Sequence, residues 1–136
     1  MNKIFRKSSP PLRTGYQRRA VYYSDSDCVE YVREDSFSVY ERVDEHLTLI
    51  FDETKIQLIG FKLKGFKYIF DHVVKPALDL KGLEFLELVD VLESLFTVLG
   101  DAIVGTDRVQ RSYRAAMKLA ANDNVRLDGE FLKEAA

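Results

Sequence analysis

The chain is poor in the residues from which small metal centres and covalent active sites are built. Its 136 residues include one cysteine and two histidines. Cys28 has no partner for an internal disulfide, which excludes a disulfide-stapled secreted scaffold and makes cytoplasmic residence the natural reading. A nucleophilic Cys28 would need a base beside it in the fold. A lone cysteine on a strand reads instead as a small buried hydrophobe. His46 and His72 fall in different elements with no clustered ligands around them, so no zinc site and no cofactor are expected. Acids interrupt every apolar stretch, so no membrane-spanning segment is expected. The basic N-terminus is not followed by an apolar core and a small-residue cleavage site, so secretion is not expected either. A Gly-rich phosphate loop, EF-hand spacing and a Gly-x-Ser-x-Gly elbow are all missing. The chain therefore reads as no enzyme.

Charge is unevenly placed. The first 19 residues carry six bases and no acid, leaving 14 bases against 22 acids, a net −8, for the rest. A basic arm on an acidic body can reach for nucleic acid or an acidic partner. Ser8-Ser9-Pro10-Pro11 in the middle of the arm favours a solvated tail. The candidate anion or nucleic-acid contacts are Arg13, Arg18 and Arg19 here, with Arg108, Arg111 and Arg114 near the other end.

An apolar fraction of 46% and a charged fraction of 31% fit one soluble globular domain, for which 136 residues is a sufficient length. Residues 20–65 alternate apolar and polar side chains. Ala20 to Tyr23, then Cys28 to Glu34, Phe37 to Val43, His46 to Asp52 and Ile56 to Leu63 read as about five strands. Links of a few residues, rich in Asp and Ser, make these an antiparallel β-meander. Gly60 inside the last run marks a bulge or a close approach of backbone or aromatic.

From Phe66 the spacing turns helical. Phe66, Ile69, Phe70, Val73 and Val74 share one helix face, which Pro76 ends or restarts. Phe85, Leu88, Leu92, Leu95, Phe96 and Leu99 carry the strongest stripe, running to Ile103 and broader than one packing face needs. This stripe is the candidate homodimer or partner interface. Gly105 and Thr106 suit a helix end and a new start, with a last helix over residues 107–121. The fold expected is α+β: a five-stranded meander over 20–65, two or three helices over 66–121 packing on one face, a basic arm before and a tail or short helix over 122–136.

Two further patterns carry chemistry. Asp25, Asp27, Asp44, Glu45 and Asp52 fall in the turns, where they either assemble oxygen ligands for Mg²⁺ or Ca²⁺ or hydrogen-bond their own backbone. Glu84, Glu87, Asp90 and Glu93 recur every three residues, as do Arg108, Arg111 and Arg114, followed by Lys118. Each set forms a slanting helical ridge, so acidic and basic ridges can pair, or both can face solvent.

Tyr23 and Asp25, Asp27 with Val29, Tyr31 and Val32, Val43-Asp44, the Leu47-Leu49-Phe51 alternation, Asp52-Glu53 and Leu58-Ile59-Gly60-Phe61 carry a resemblance. Over residues 22–63 the chain resembles a bacterial family of short β-rich proteins, domain of unknown function 2283. The resemblance implies the hairpin-rich β fold and, through antitoxin-like relatives, a regulatory partner. The function expected is a non-enzymatic, homo-oligomerising protein-interaction module. The alternatives are an antitoxin-like or nucleic-acid-associated regulator using the arm and the last-helix arginines, and a metal-dependent enzyme using the turn carboxylates.

Overall fold

Period-two alternation makes the first half of the chain into strands, and the computed structural model shows how they pair. It describes residues 19–34, 36–81, 84–99 and 107–128. The first five strands are β1 (Arg19–Tyr23), β2 (Cys28–Val32), β3 (Ser38–Arg42), β4 (Leu47–Asp52) and β5 (Leu58–Lys64). A composite helix comes next, made of α1 (Phe66–Ile69), a π-helical stretch Phe70–Val74 and α2 (Lys75–Ala77). Then come β6 (Phe85–Glu87), α3 (Leu88–Leu99), α4 (Asp107–Asp123) and β7 (Arg126–Asp128). The class is α+β, as the change of period requires. The basic segment before Arg19, apart from Arg19 itself, lies outside the described residues, as do Gly105, Thr106, Ile103, Phe131 and Leu132.

The strands form one seven-stranded sheet in the order β3-β4-β5-β2-β1-β7-β6. Every pairing is antiparallel except β1 with β7. Two features depart from a simple meander. Strands β2 and β3 are consecutive in the chain but not adjacent, because β5 inserts between β2 and β4. Its burial explains the choice: Ile59, Gly60, Phe61 and Leu63 are shielded from solvent, whereas β3 is half exposed and takes the edge. The second departure is the pair β6 and β7, expected as the start of a helix and as a tail. Three-residue strands are too short to show a period of two, and Phe85-Leu86-Glu87 stays in phase with the helical stripe beyond it.

One sheet face holds the core. Val29 and Tyr31 of β2, Leu47 and Leu49 of β4 and Phe61 and Leu63 of β5 lie under the helices. All five residues of the composite helix's apolar face are buried against them. Pro76 sits at the start of α2, after the widened π-helical turn, where its missing N–H costs no regular ladder bond. Leu88, Val91, Leu92 and Leu95 of α3 and Val109, Tyr113 and Ala116 of α4 complete the core.

Gly60 lies at a register shift: Ile50 pairs with Gly60 but Phe51 pairs with Leu58, leaving Ile59 as the extra residue of a bulge. A Cβ on Gly60 would collide with the Tyr31 carbonyl oxygen of the neighbouring strand. Backbone, which cannot swing aside, therefore dictates glycine here. Gly60→Ala should destabilise the fold by about 1–3 kcal/mol or more, as overpacking does. Urea unfolding monitored by circular dichroism measures the change.

Candidate functional site

The most deeply buried charged side chain among the described residues is Asp123, the last residue of α4, 4% exposed. Its Oδ2 accepts from the Tyr31 hydroxyl at 2.7 Å and from Arg33 Nε at 2.9 Å, and its Oδ1 accepts from the second arm of the Arg33 fork at 3.1 Å. A carboxylate at a helix C-terminus opposes the helix dipole, so the guanidinium is what makes the position tenable. The Asp123 carboxylate, outweighing the effect of burial, raises the Arg33 pKa. This clamp ties the end of α4 to β2 and is structural.

The turn acids are engaged in the same way. Asp27 accepts from the Tyr22 hydroxyl at 2.8 Å and from the Lys67 amide at 3.1 Å, joining the β1–β2 turn to the start of α1. Asp44 accepts from the amides of His46 and Leu47 and, at 2.8 Å, from the Tyr113 hydroxyl of α4. Burial, and then the bond to Asp44, push the Tyr113 phenol up. Asp52 folds its own turn: the Thr54 hydroxyl and nearby amides outweigh a small burial penalty and hold its carboxyl below the usual range. Asp44 and Asp52 flank opposite ends of β4 and do not converge. Among the described residues no three His, Cys, Asp or Glu side chains gather as a metal site, and no helix is long and apolar enough to cross a membrane.

The remaining candidates separate in space. Arg13 and Arg18 lie outside the described residues, while Arg19 is in β1 and pairs with Asp128 of β7 at 3.2 Å. Arg108 pairs with Glu41 at 3.5 Å and donates to the Arg42 carbonyl at 3.0 Å. Arg114 lies over the Phe96 ring at 5.7 Å, and Arg111 is exposed. The supposed acidic ridge is broken, because Glu84 precedes β6 and Glu87 is on it, leaving only Asp90 and Glu93 on α3. Glu87 pairs with Arg126 of β7 at 3.0 Å, and among the described residues no ion pair joins the acidic set to Arg108, Arg111, Arg114 or Lys118.

The expected interface stripe is likewise divided. Leu88, Leu92 and Leu95 are buried inside the subunit, so they cannot meet a partner, and Phe85 belongs to a strand. Only Phe85, Phe96 and Leu99, with neighbouring Val98, keep exposed area. The surplus that the stripe displayed goes into a core shared by the sheet, the composite helix and α4. Cys28 is buried, 3.2 Å from the Ser26 hydroxyl. His46 and His72 both stack on Tyr68, at 6.2 and 4.4 Å between ring centroids. The four-residue spacing of Tyr68 and His72 on a helix suits their contact, whereas nothing in the sequence announces that of His46.

A concavity of about 790 Å³ lies beside β6 and β7 and is lined by Arg19, Phe85, Asp123, Arg126 and Asp128 among others. It is open, its arginines are ion-paired, and Asp123 is held by the clamp, so it presents no nucleophile with an adjacent base.

Two surfaces are left unfilled. The first is an apolar tip. Phe37, immediately before β3, is 84% exposed, and Ile56, in the β4–β5 turn, is 83% exposed. Register places both at one end of the sheet, since Ser38 faces Asp52 and Phe51 faces Leu58. The second is the sheet face opposite the helices, where Cys28, Ile50 and Ile59 are buried yet outside the main core. Tyr40 of β3 donates to Glu30 Oε2 of β2 at 2.8 Å, although β4 and β5 lie between them. Its side chain therefore lies along the sheet, over the row that holds Ile50 and Gly60. Sequence periodicity locates Tyr40 on this face but cannot foresee that reach.

No protein-family model, curated protein or solved structure matches the chain. The candidate site consequently rests on geometry alone.

Two measurements check it. Asp123→Ala should cost about 3–5 kcal/mol, because it strands the Tyr31 hydroxyl and a half-buried guanidinium, whereas Tyr31→Phe should cost about 1 kcal/mol; both are read from denaturant midpoints. Burial first, and then the bond to Glu30, push the Tyr40 phenol up to about 12. Its folded pKa is raised, so its contribution to stability is complete below the ordinary tyrosine pKa near 10 and fades as pH rises to about 12. In a titration of tyrosinate absorbance, Glu30→Gln should bring this late-ionising group part of the way back toward 10.

Proposed function

We propose that the protein is a non-enzymatic, self-associating interaction module of the cytoplasm, and that two copies meet through the apolar tip rather than through the helical stripe. The observation that carries this reading is the exposure of Phe37 and Ile56, both above four-fifths, at the same end of one sheet. Large apolar side chains scattered singly are ordinary; two together at a strand end, beside the half-buried Val39, Phe51 and Leu58, form a patch that association would remove from water. Strand β3, at the edge of the sheet among the described residues, adjoins them and offers its outer backbone groups to a second strand. The dense bonding of the turn carboxylates supports a role without metal chemistry, and the lone buried thiol suits a reducing compartment. The motif resemblance over residues 22–63 supports a shared β-module of this kind.

Sedimentation equilibrium at micromolar concentration should report a dimer. Phe37→Asp with Ile56→Asp should shift it to monomer without lowering thermal stability, whereas Val98→Asp on the exposed side of α3 should leave it unchanged. A wild-type monomer would sink the proposal, and dissociation by Val98→Asp alone would return the interface to the helix.

A further inference from the structure

We infer that the sheet face opposite the helices binds single-stranded nucleic acid, with Tyr40 as its principal stacking ring. Three observations carry the inference, and none depends on self-association.

The first is the posture of the ring. Tyr40 is 52% exposed although its hydroxyl is anchored to Glu30 at 2.8 Å, on a strand three positions across the sheet. A side chain drawn along the sheet in this way crosses the row of Ile50 and Gly60 and keeps half of its surface exposed, with the Lys62 ammonium over the ring at 6.0 Å. The anchor has already removed the rotamer freedom that a base would otherwise have to freeze on stacking.

The second is the company of the ring. Register puts Val21 and Tyr23 of β1 on the same face, since Val21 faces Glu30 and Tyr23 faces Cys28. They are 47% and 44% exposed. An open antiparallel sheet carrying exposed aromatics accepts unpaired bases, whose ring faces are free, and gives no purchase to a duplex, whose ring faces are stacked within it.

The third is the charge. The same alternation places Arg42, Lys62 and Lys64 on this face, with Lys62 between Thr48 and Glu30 in register and its ammonium 6.0 Å from the Tyr40 ring centre. On β1, β6 and β7 the charges of this face pair with one another, Arg19 with Asp128 and Arg126 with Glu87. Against the three cations of β3 and β5 stand Glu30, whose carboxylate accepts the Tyr40 hydroxyl, and Asp52 at the far end, turned into its own loop. A face with surplus positive charge on a chain of net charge −2 is complementary to a polyanion. The arginines of α4 play no part, for Arg108 and Arg114 are engaged with Glu41 and Phe96.

Fluorescence anisotropy of the full chain with labelled single-stranded oligo-dT and oligo-U at low salt tests the inference. Saturable binding is expected, weakening as salt rises. Tyr40→Ala should weaken it by about tenfold or more, while Tyr40→Phe, which keeps the ring, should retain most of the affinity. Lys62→Ala should weaken it and reduce the salt slope by about one. Arg111→Ala should change nothing. Absence of binding up to about 100 μM protein, the weak end of non-specific association, would overturn the proposal. So would duplex of the same sequence binding equally well. Binding indifferent to Tyr40→Ala and Lys62→Ala but abolished by Arg13→Ala with Arg18→Ala would overturn it too, moving the contact to the basic arm.

Discussion

A single buried carboxylate holds the two halves of this molecule together. Asp123 ends α4 where the helix dipole disfavours an acid, and it is shielded from water, so the fork of Arg33 and the hydroxyl of Tyr31 help make its charge acceptable. Those donors sit at the end of β2, 92 and 90 residues earlier in the chain for Tyr31 and Arg33. The clamp thereby fixes the helix end against the sheet and sets the course of residues 124–128. The Val125 amide bonds back to Ala120, the Val125 carbonyl accepts the Leu88 amide, and β7 is delivered beside β1. The parallel β1–β7 pairing and the edge strand β6 depend on that delivery.

The same device recurs at smaller scale. Asp27 joins the first turn to α1, and Asp44 joins the β3–β4 turn to α4 through Tyr113. Each carboxylate closes a local turn and also accepts from a distant element. Acids that in isolation look like candidate metal ligands thus act as acceptors that dock the helices on one sheet face. The consequence for function is an asymmetry: the helical side is tightly bonded, and most of the exposed large apolar and aromatic residues lie on the opposite face and at its far end, Tyr68 and Val98 being the exceptions on the helices.

How much of this is legible beforehand varies by residue for physical reasons. Alternation over Leu47, Leu49 and Phe51 reports a strand because each side chain meets the same core. The composite-helix face is equally plain, since all five of its apolar residues are buried. Gly60 is readable as a bulge because a strand interior has little other use for glycine. The stripe from Phe85 is misleading, because three residues of strand cannot be told from the first turn of a helix in the same phase. Breadth of a stripe is likewise ambiguous: it signals either an interface or a helix packed on several sides, and α3 is the second. Asp123 leaves one trace, an acid at the wrong end of a helix, which marks it as unusual without naming its partners.

By itself the sequence determined the class of fold, the strands and helices of long enough period, and the bulge, because these come from local periodicity and backbone sterics. Tertiary structure alone decided that β5 stands between β2 and β4, that Leu88, Leu92 and Leu95 face inward, that Asp123 meets Arg33, and that Tyr40 lies down to reach Glu30. Those outcomes depend on which surfaces compete for the same burial and on which charges need one another once water is removed. Such competition is settled between elements distant in the chain, where no spacing along it carries the answer.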